Sequence, residues 1–278
     1  MTATVFAAVL LSAVLHAGWN VLVKRTDDPR ATAMLVVIGA GFVAAAILPF
    51  VDPPAAASLP WLAGAVVLQV VYVLLLATAY RVADMSLVYP TMRGSAPMIV
   101  TAVSIGLLDE RLSATAWFGI ATIALGILSL ALGARRTGGG RGVAIALLTA
   151  CAIAGSTLVD GRGVRLSGSP VAYTLWEGLL TGLPFLGWAI VFGGARFRAH
   201  ARRHFVAGLA GGVGTTASYG VALWAMTQAP VALVAALRET SIVFGLILAR
   251  LVLGERAGGR RLAAAGLILL GAAVLRAA

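Results

Sequence analysis

Long apolar runs, each close to the length of a membrane-spanning helix, constrain the fold of this chain more than any other feature. Crossing the hydrocarbon core of a bilayer takes about 20 mostly apolar residues in helical form. Ten segments meet or approach that length: Val5–Val23, Ala31–Val51, Leu59–Tyr80, Ser86–Leu108, Ala114–Gly133, Gly142–Val159, Val171–Phe192, Phe205–Thr227, Val231–Leu253 and Leu262–Leu275. The runs are continuously apolar rather than alternating, which argues against a transmembrane β-barrel.

Composition supports the same fold class. Only 11% of the 278 residues are charged and 60% are hydrophobic, too few charges for the surface of a soluble domain. The net charge of +11 comes from short basic clusters between apolar runs, a pattern typical of loops at a membrane surface rather than of a nucleic-acid partner. The lone Cys151 excludes a disulfide scaffold. The first run lacks a preceding basic region and continues to Lys24, so we interpret it as a retained span rather than a signal peptide. The sequence predicts an all-α polytopic membrane protein in contact with the lipid bilayer.

An internal repeat links the two halves of the chain at a shift of 145 residues. The shift superposes Arg93 on Arg238, Glu110 on Glu255, Arg111 on Arg256, Ile123 on Ile268, Leu125 on Leu270 and Gly126 on Gly271. Five spans per half is an odd number, so the halves cross the membrane in opposite directions. We therefore predict two inverted five-helix repeats, residues 1–137 and 138–278, as in many secondary transporters with a midplane substrate site. A duplication retained only for packing is the alternative.

The distribution of basic residues predicts the orientation. Loops after odd-numbered spans hold 14 lysines and arginines, and the opposite side holds 4. The positive-inside rule then places the odd-numbered loops in the cytoplasm and both termini in the periplasm.

Four charged residues lie deep inside predicted spans, where a charge is costly and usually functional. Arg93 lies about 12 Å deep at 1.5 Å per helical residue, and Arg238 lies equally deep from the other side. Glu239 follows Arg238, and Glu177 lies in the seventh span. Two roles remain open for the arginines: pairing with Glu239 or Glu177 to lock the halves together, or binding a substrate carboxylate through the guanidinium fork. The glutamates are candidate proton carriers or simple arginine partners.

Polar and aromatic residues form a second group of candidates. His16 and Asn20 share one face of the first helix. The deeper aromatic residues that could line a cavity, or only pack, are Trp19, Tyr72, Tyr89, Trp176, Tyr219 and Trp224. Pro90 and Pro97 bracket Arg93 and predict a kink, and thus a moving gate, in the fourth span. The equivalent second-half positions, Ala235 and Ile242, are not proline.

Enzyme chemistry is poorly supported by the sequence. With three histidines, no metal-ligand cluster is evident, and the Gly138–Gly140 run lacks the lysine-serine pair of a phosphate loop. We expect no cofactor, no metal and no catalytic residues.

Two segments that close the fourth span of each half are similar to a known family. Leu108-Asp109-Glu110-Arg111 and Leu253-Gly254-Glu255-Arg256, with ten spans in two halves, resemble the drug/metabolite transporter superfamily of the EamA type. The segments His16-Ala17-Gly18-Trp19-Asn20, Tyr89-Pro90, Arg93-Gly94 and Leu237-Arg238-Glu239-Thr240-Ser241 resemble one bacterial branch of this superfamily. Bacterial members that are similar in overall plan include the YddG-type amino-acid exporters.

The resemblance implies a function and a site. It implies a bacterial inner-membrane exporter of amino acids, including aromatic or other neutral ones, and related metabolites, working by alternating access and compatible with a monomer. Exporters of drugs, nucleosides or sugars in the same superfamily are the alternative. It favours a central cavity with the candidates His16, Trp19, Asn20, Tyr72, Arg93, Tyr219 and Arg238. The sequence itself adds Tyr89, Trp224 and Glu239 to the candidate substrate site. The resemblance disfavours Trp176 and Glu177. It also implies cytoplasmic termini, which conflicts with the loop count; we retain the count.

Overall fold

The computed structural model describes residues 1–132, 139–255 and 258–278, and these residues form helices and short connections without any strand. The α-helices are α1 (Ala3–Lys24), α2 (Pro29–Ile47), α3 (Leu59–Val82), α4 (Met85–Leu107), α5 (Ala114–Ser129), α6 (Gly139–Leu166), α7 (Pro170–Phe192), α8 (Gly194–Gln228), α9 (Val231–Arg238), α10 (Ser241–Leu253) and α11 (Gly259–Ala277). The predicted all-α fold is confirmed. The predicted repeat boundary at 137 and 138, and the predicted end of the fifth span at Gly133, fall outside the described residues.

Ten spans result if α9 and α10 count as one interrupted crossing. Within the described ranges, seven helical segments are long and apolar enough to cross a membrane, and α5 is a shorter apolar helix. The other two are α4, which contains Arg93, and α11, which extends beyond its predicted apolar stretch at both ends. Arg276 Nη1 donates to the Met1 carbonyl oxygen over 3.4 Å, so both ends of the described chain meet at one membrane face. We call this the terminal face, and the opposite side the far face.

Local sequence explains where several helices begin. The side chains of Thr2, Asp28, Ser113 and Ser169 each accept a hydrogen bond from a backbone N–H in the first helical turn. These are N-caps, which satisfy one of the donors that a helix start leaves unpaired. Pro29 and Pro170 follow their caps at the first helical position, where a missing N–H costs nothing.

Helix packing follows the inverted repeat. α1 packs against α8 and α10, and the equivalent helix α6 packs against α3 and α4. α5 packs on α11 and α2 on α7, so these pairs join corresponding helices of the two halves. The repeat extends to single hydrogen bonds: Glu110 N–H donates to the Ser104 carbonyl, and Glu255 N–H donates to the Ala249 carbonyl, each 145 positions later. Both bonds close a helix end through a left-handed residue.

Glycines bring α2 and α8 into backbone contact. A Cβ built on Gly39 would lie 2.5 Å from the Gly208 carbonyl oxygen, and one built on Gly212 would lie 2.5 Å from the Ala40 nitrogen. No side chain fits between the two helices at these positions. This close approach at Gly208 and Gly212 is in keeping with small-residue contacts between membrane helices.

Three helices differ from the sequence-based expectation. α6 continues to Leu166, seven residues past its predicted end, so Asp160 lies in a helix rather than a loop. The predicted basic loop before the eighth span is helical and joins α8 at His204, whose φ and ψ of −110° and 19° are not helical. The prolines led us to expect the irregular helix in the first half. Instead, α4 runs unbroken through Pro90 and Pro97, and the interruption falls between α9 and α10.

Candidate functional site

An ion pair between the two halves lies at the centre of the bundle. Arg93 Nε of α4 lies 3.0 Å from Glu239 Oε2, which follows α9. The two groups approach as charges and do not meet the alignment of a hydrogen bond. Of the two partners considered for Arg93 from the sequence, the structure selects Glu239. Because the pair lies far from either membrane face, each charge depends on the other for compensation.

Arg238 makes a different contact. Its guanidinium lies over the ring of Tyr219, 5.1 Å from the ring centroid, which is a cation–π arrangement. Arg93 and Arg238 are also close enough to repel each other electrostatically. The sequence prediction that equivalent arginines meet near the midplane is in agreement with this placement. Two guanidinium groups therefore lie close together. Among the described residues, only Glu239 forms an ion pair with either of them.

A step in the ninth span positions these groups. The N–H groups of Glu239 and Thr240 donate to Ala236 and Leu237, and Ile242 and Val243 repeat the same i to i−3 pattern. These are 3₁₀-type bonds, which tighten the chain between α9 and α10 without unpairing its backbone. A 3₁₀ step inside a longer helix often marks a functional hinge.

The first-half candidates converge on the arginines. The rings of His16 and Trp19 meet edge to face at 5.2 Å and 83°, and Asn20 Nδ2 donates to the His16 carbonyl over 2.7 Å. His16 lies within electrostatic reach of both arginines, and Tyr72 and Tyr89 lie within reach of Arg93. His16, Trp19, Tyr72 and Tyr89 are half-buried.

The remaining candidates differ in placement. Trp224 is 37% exposed on α8, and its place in the wall of the cavity stays a prediction. Pro90 and Pro97 lie buried within the continuous helix α4. Glu177 is buried but does not pair with Arg93, and Trp176 packs on the main apolar core.

Sequence reasoning missed Asp160, the most enclosed acid of the site. It is 0% exposed and accepts hydrogen bonds from Tyr173 Oη at 3.1 Å and Tyr219 Oη at 2.5 Å. Hydropathy falls at Val159–Arg162, so the segment resembled a loop. The signal that could have identified it is the pair of tyrosines in the two following spans, which supply donors for one buried carboxylate.

A second contact between the halves lies at the terminal face. Glu110 accepts from the backbone N–H groups of Val231 and Ala232 at 2.6 and 3.3 Å, so its carboxylate occupies the N-terminus of α9. Arg165 Nη2 donates to Glu110 over 2.9 Å, and Arg165 also donates to the carbonyls of Met226 and Ala229. This cluster ties α4, α6, α8 and α9 together.

The far face is held by more exposed contacts. Lys24 Nζ donates to Glu255 over 2.6 Å, and this hydrogen bond lowers the pKa of the Glu255 carboxyl. Asp27 meets His204 Nε2 at 2.5 Å and His200 Nδ1 at 3.6 Å. Desolvation acts to raise the pKa of Asp27, but the contacts with the two imidazoles outweigh it and leave that pKa below its ordinary value.

The same three residues correct one expectation. All ligand-type atoms of Asp27, His200 and His204 lie within 4.8 Å of one another, so a cluster of metal-ligand type does form on the far face. The sequence did not reveal it because Asp27 lies about 170 residues before the histidines. Arg203 lies 3.6 Å from Asp27 and adds a positive charge beside the cluster. The direct contacts among these side chains hold α8 against the α1–α2 turn.

Comparison with known proteins assigns the second half of the bundle. Residues 140–277 match the model of the EamA-like transporter family. This half of the chain is an EamA-like transporter domain. It contains α6 to α11, and with them Asp160, Tyr219, Arg238 and Glu239.

The fold extends beyond the EamA-like domain to the whole chain. One solved structure, described only as a crystal structure of a protein, superposes with a TM-score of 0.76 at 19% identity, covering 99% of this chain and 96% of the other. No curated protein matches the sequence. The chain is therefore a multi-pass membrane protein in which an EamA-like domain packs against a first half of related helical plan.

Proposed function

We propose that the protein is a secondary transporter that exports amino acids, including aromatic or other neutral ones, and related small metabolites by alternating access. The observation that carries the proposal is the Arg93–Glu239 ion pair, which joins the halves in mid-membrane beside an interrupted span. A site between inverted repeats can be exposed to either face by rocking one half against the other.

The charges favour a substrate with a carboxylate. A carboxylate entering the site can compete with Glu239 for Arg93, and Arg238 offers a second guanidinium fork close by. Releasing Glu239 from Arg93 would loosen the contact between the halves, which links substrate binding to motion. The nearby rings of Trp19, Tyr72 and Tyr89 suit a neutral or aromatic side chain.

Export of drugs, nucleosides or sugars is the second candidate. Tyr72, Tyr89 and the Tyr219–Arg238 stack also provide hydroxyl groups and ring faces that a neutral polar cargo could use. With such a substrate, the arginines would serve only to pack the two halves together, and we would expect no transport of carboxylates.

Location and assembly complete the proposal. We assign the chain to a bacterial inner membrane, and the distribution of lysines and arginines supports a terminal face towards the periplasm. A single chain supplies both Arg93 and Glu239, so a monomer suffices for transport. No catalytic step is assigned.

Counterflow uptake in proteoliposomes tests the proposal. Vesicles preloaded with mixed amino acids should accumulate labelled tryptophan, threonine or methionine. Arg93→Ala should lower the rate about 100-fold, since removing one member of a buried charged pair costs roughly 3 kcal/mol. Arg250→Ala is the matched control, because Arg250 is an exposed arginine of the same span as Glu239 and should leave the rate unchanged.

Two outcomes would overturn the proposal. Folded wild-type protein that exchanges none of the amino acids, but exchanges labelled nucleosides or sugars, would establish the second candidate. Exchange that survives Arg93→Ala unchanged would remove the ion pair from the mechanism.

A further inference from the structure

We propose that Glu177, supported by Asp160, is a proton-binding site that couples proton movement to transport. The inference rests on the proposed transport function. It concerns residues of α6 and α7 that the substrate site, as described above, does not use.

The first step is the charge balance of the buried layer. Within the described part of the chain, this layer contains two arginines, Arg93 and Arg238, and three carboxyl groups, Asp160, Glu177 and Glu239. Unbalanced charge is strongly unfavourable in a low-dielectric interior. One bound proton makes the layer neutral.

The second step identifies the group that holds this proton. Glu239 faces Arg93 at 3.0 Å, and Asp160 accepts hydrogen bonds from two tyrosine hydroxyls, so both are stabilised as carboxylates. Glu177 is 5% exposed, and its Oε2 has no hydrogen-bond partner among the described residues. A buried carboxyl without a donor is the one best accommodated in its neutral form.

The groups that face Glu177 and Asp160 are few. α6 and α7 pack against each other and against α3 and α8, with α2 also on α7 and with α4 and α9 also on α6. The titratable or charged groups that these helices place near Glu177 and Asp160 are Tyr173, Tyr219 and Arg238. Tyr72, Tyr89 and Arg93 lie beyond them. The buried part of α2 contributes no charge. Arg238 attracts both acids, and the two acids repel each other. Losing a proton from Glu177 therefore alters the field at Arg238, where a substrate carboxylate would bind.

The third step concerns access. Asp160 lies about 9 Å from the end of α6 at the terminal face, counting 1.5 Å per residue. Between it and the terminal face lies the Glu110–Arg165 contact. Opening that contact would admit water and protons from the terminal face, which the basic-loop count assigns to the periplasm. Glu177 would then take up or release its proton on that side, and its charge would set how strongly Arg238 attracts a substrate carboxylate.

The proton can be observed without any substrate. Infrared difference spectroscopy of the purified full-length protein should show the carbonyl stretch of one buried carboxylic acid that disappears at alkaline pH. Glu177→Gln should abolish this band. Asp52→Asn, an exposed carboxyl in the α2–α3 connection, should leave it intact. A band that persists in Glu177→Gln, or that is lost in Asp160→Asn while Glu177→Gln retains it, overturns the assignment.

Coupling is tested in proteoliposomes with an entrapped pH indicator and labelled tryptophan. Wild-type transport should change roughly tenfold per pH unit where one proton limits it. Glu177→Gln should exchange tryptophan with less than a twofold change per pH unit and without proton movement. Proton movement that is unchanged in Glu177→Gln overturns the coupling role. Wild-type protein that shows the band but exchanges no tryptophan refutes the proposed substrate class and leaves Glu177 as a proton site.

Discussion

Glu110 and Glu255 occupy equivalent positions in the two halves but do different work. The Glu110 side chain is 5% exposed and the Glu255 side chain is 38% exposed. Glu110 binds two backbone N–H groups of α9 and one arginine, whereas Glu255 binds the exposed Lys24. Both halves contain a glutamate at the equivalent position, but only Glu110 forms a buried contact between the halves in this conformation.

The difference in burial between the two glutamates indicates which membrane face is held together more firmly. A carboxylate at the N-terminus of α9 and bonded to Arg165 holds four helices at the terminal face. The exposed Lys24–Glu255 pair provides a much weaker closure at the far face. The contacts at the terminal face, which we propose to be periplasmic, are therefore more buried than those at the far face. In the opposite state of an alternating-access cycle, Glu255 would become the buried acid.

Replacing Glu110 should have the largest effect on stability. Glu110→Gln keeps the shape but removes the charge that Arg165 and the α9 N-terminus require. We expect a loss of about 2–4 kcal/mol in the free energy of unfolding, measured in mixed micelles. Glu255→Gln is the matched control and should lower that free energy by much less than Glu110→Gln does. Equal losses of unfolding free energy in Glu110→Gln and Glu255→Gln would contradict the difference between the two glutamates.

A second matched pair tests packing at positions also related by the 145-residue shift. Gly212→Ala would press a Cβ into the backbone of α2, and the expected loss is about 2–3 kcal/mol, because neither backbone can move aside easily. Its equivalent Val67 is 61% exposed on α3, so Val67→Ala should have little effect. The measurement is again equilibrium unfolding, and a silent Gly212→Ala would contradict the close approach of α2 and α8.

The left-handed residues before the two glutamates give a smaller and signed test. Asp109 has φ 54° and Gly254 has φ 69°. Asp109→Gly relieves a strained backbone and should stabilise the protein by about 1 kcal/mol. Gly254→Ala should destabilise it by about the same amount, since the space around Gly254 is open and only the backbone conformation is unfavourable. Shifts of the same sign in both variants would refute the shared geometry.

The smallest expected effect is the pH dependence of the far-face pair. The bond from Lys24 lowers the pKa of Glu255 from 4.5, so the pair contributes above pH 4.5 and its contribution is lost as the pH falls through the lower, folded-state value. Thermal unfolding of the wild type and Glu255→Gln should therefore converge under acid conditions. A difference that grows on acidification would reverse the sign of the assignment.

Much of the architecture was predictable because the bilayer imposes it. Apolar runs of about 20 residues indicate spans, an odd number of spans per half implies inversion, and the matched pairs Arg93/Arg238 and Glu110/Glu255 identify the repeat. The Arg93–Glu239 pair was one of the two pairings inferred for Arg93. These inferences depend on solvent and length rather than on detailed packing.

The errors have a common physical origin. Asp160 and the step before α10 depend on partners supplied by distant helices, which hydropathy along one segment does not register. Asp160 remains helical because Tyr173 and Tyr219 satisfy it. The contact of Asp27 with His200 and His204 likewise joins residues that lie far apart in the sequence. α4 remains helical through Pro90 and Pro97, and the kink that these prolines predict stays a prediction.

The glycine contact between α2 and α8 bears on how the bundle can move. α2 belongs to the first half and α8 to the second, yet their backbones touch with no side chain between them. Interdigitated backbones of this kind cannot slide or part without leaving a void that neither lipid nor water fills readily. Rocking of one half against the other must therefore keep α2 and α8 in contact. This glycine contact is the pivot about which the two halves would turn.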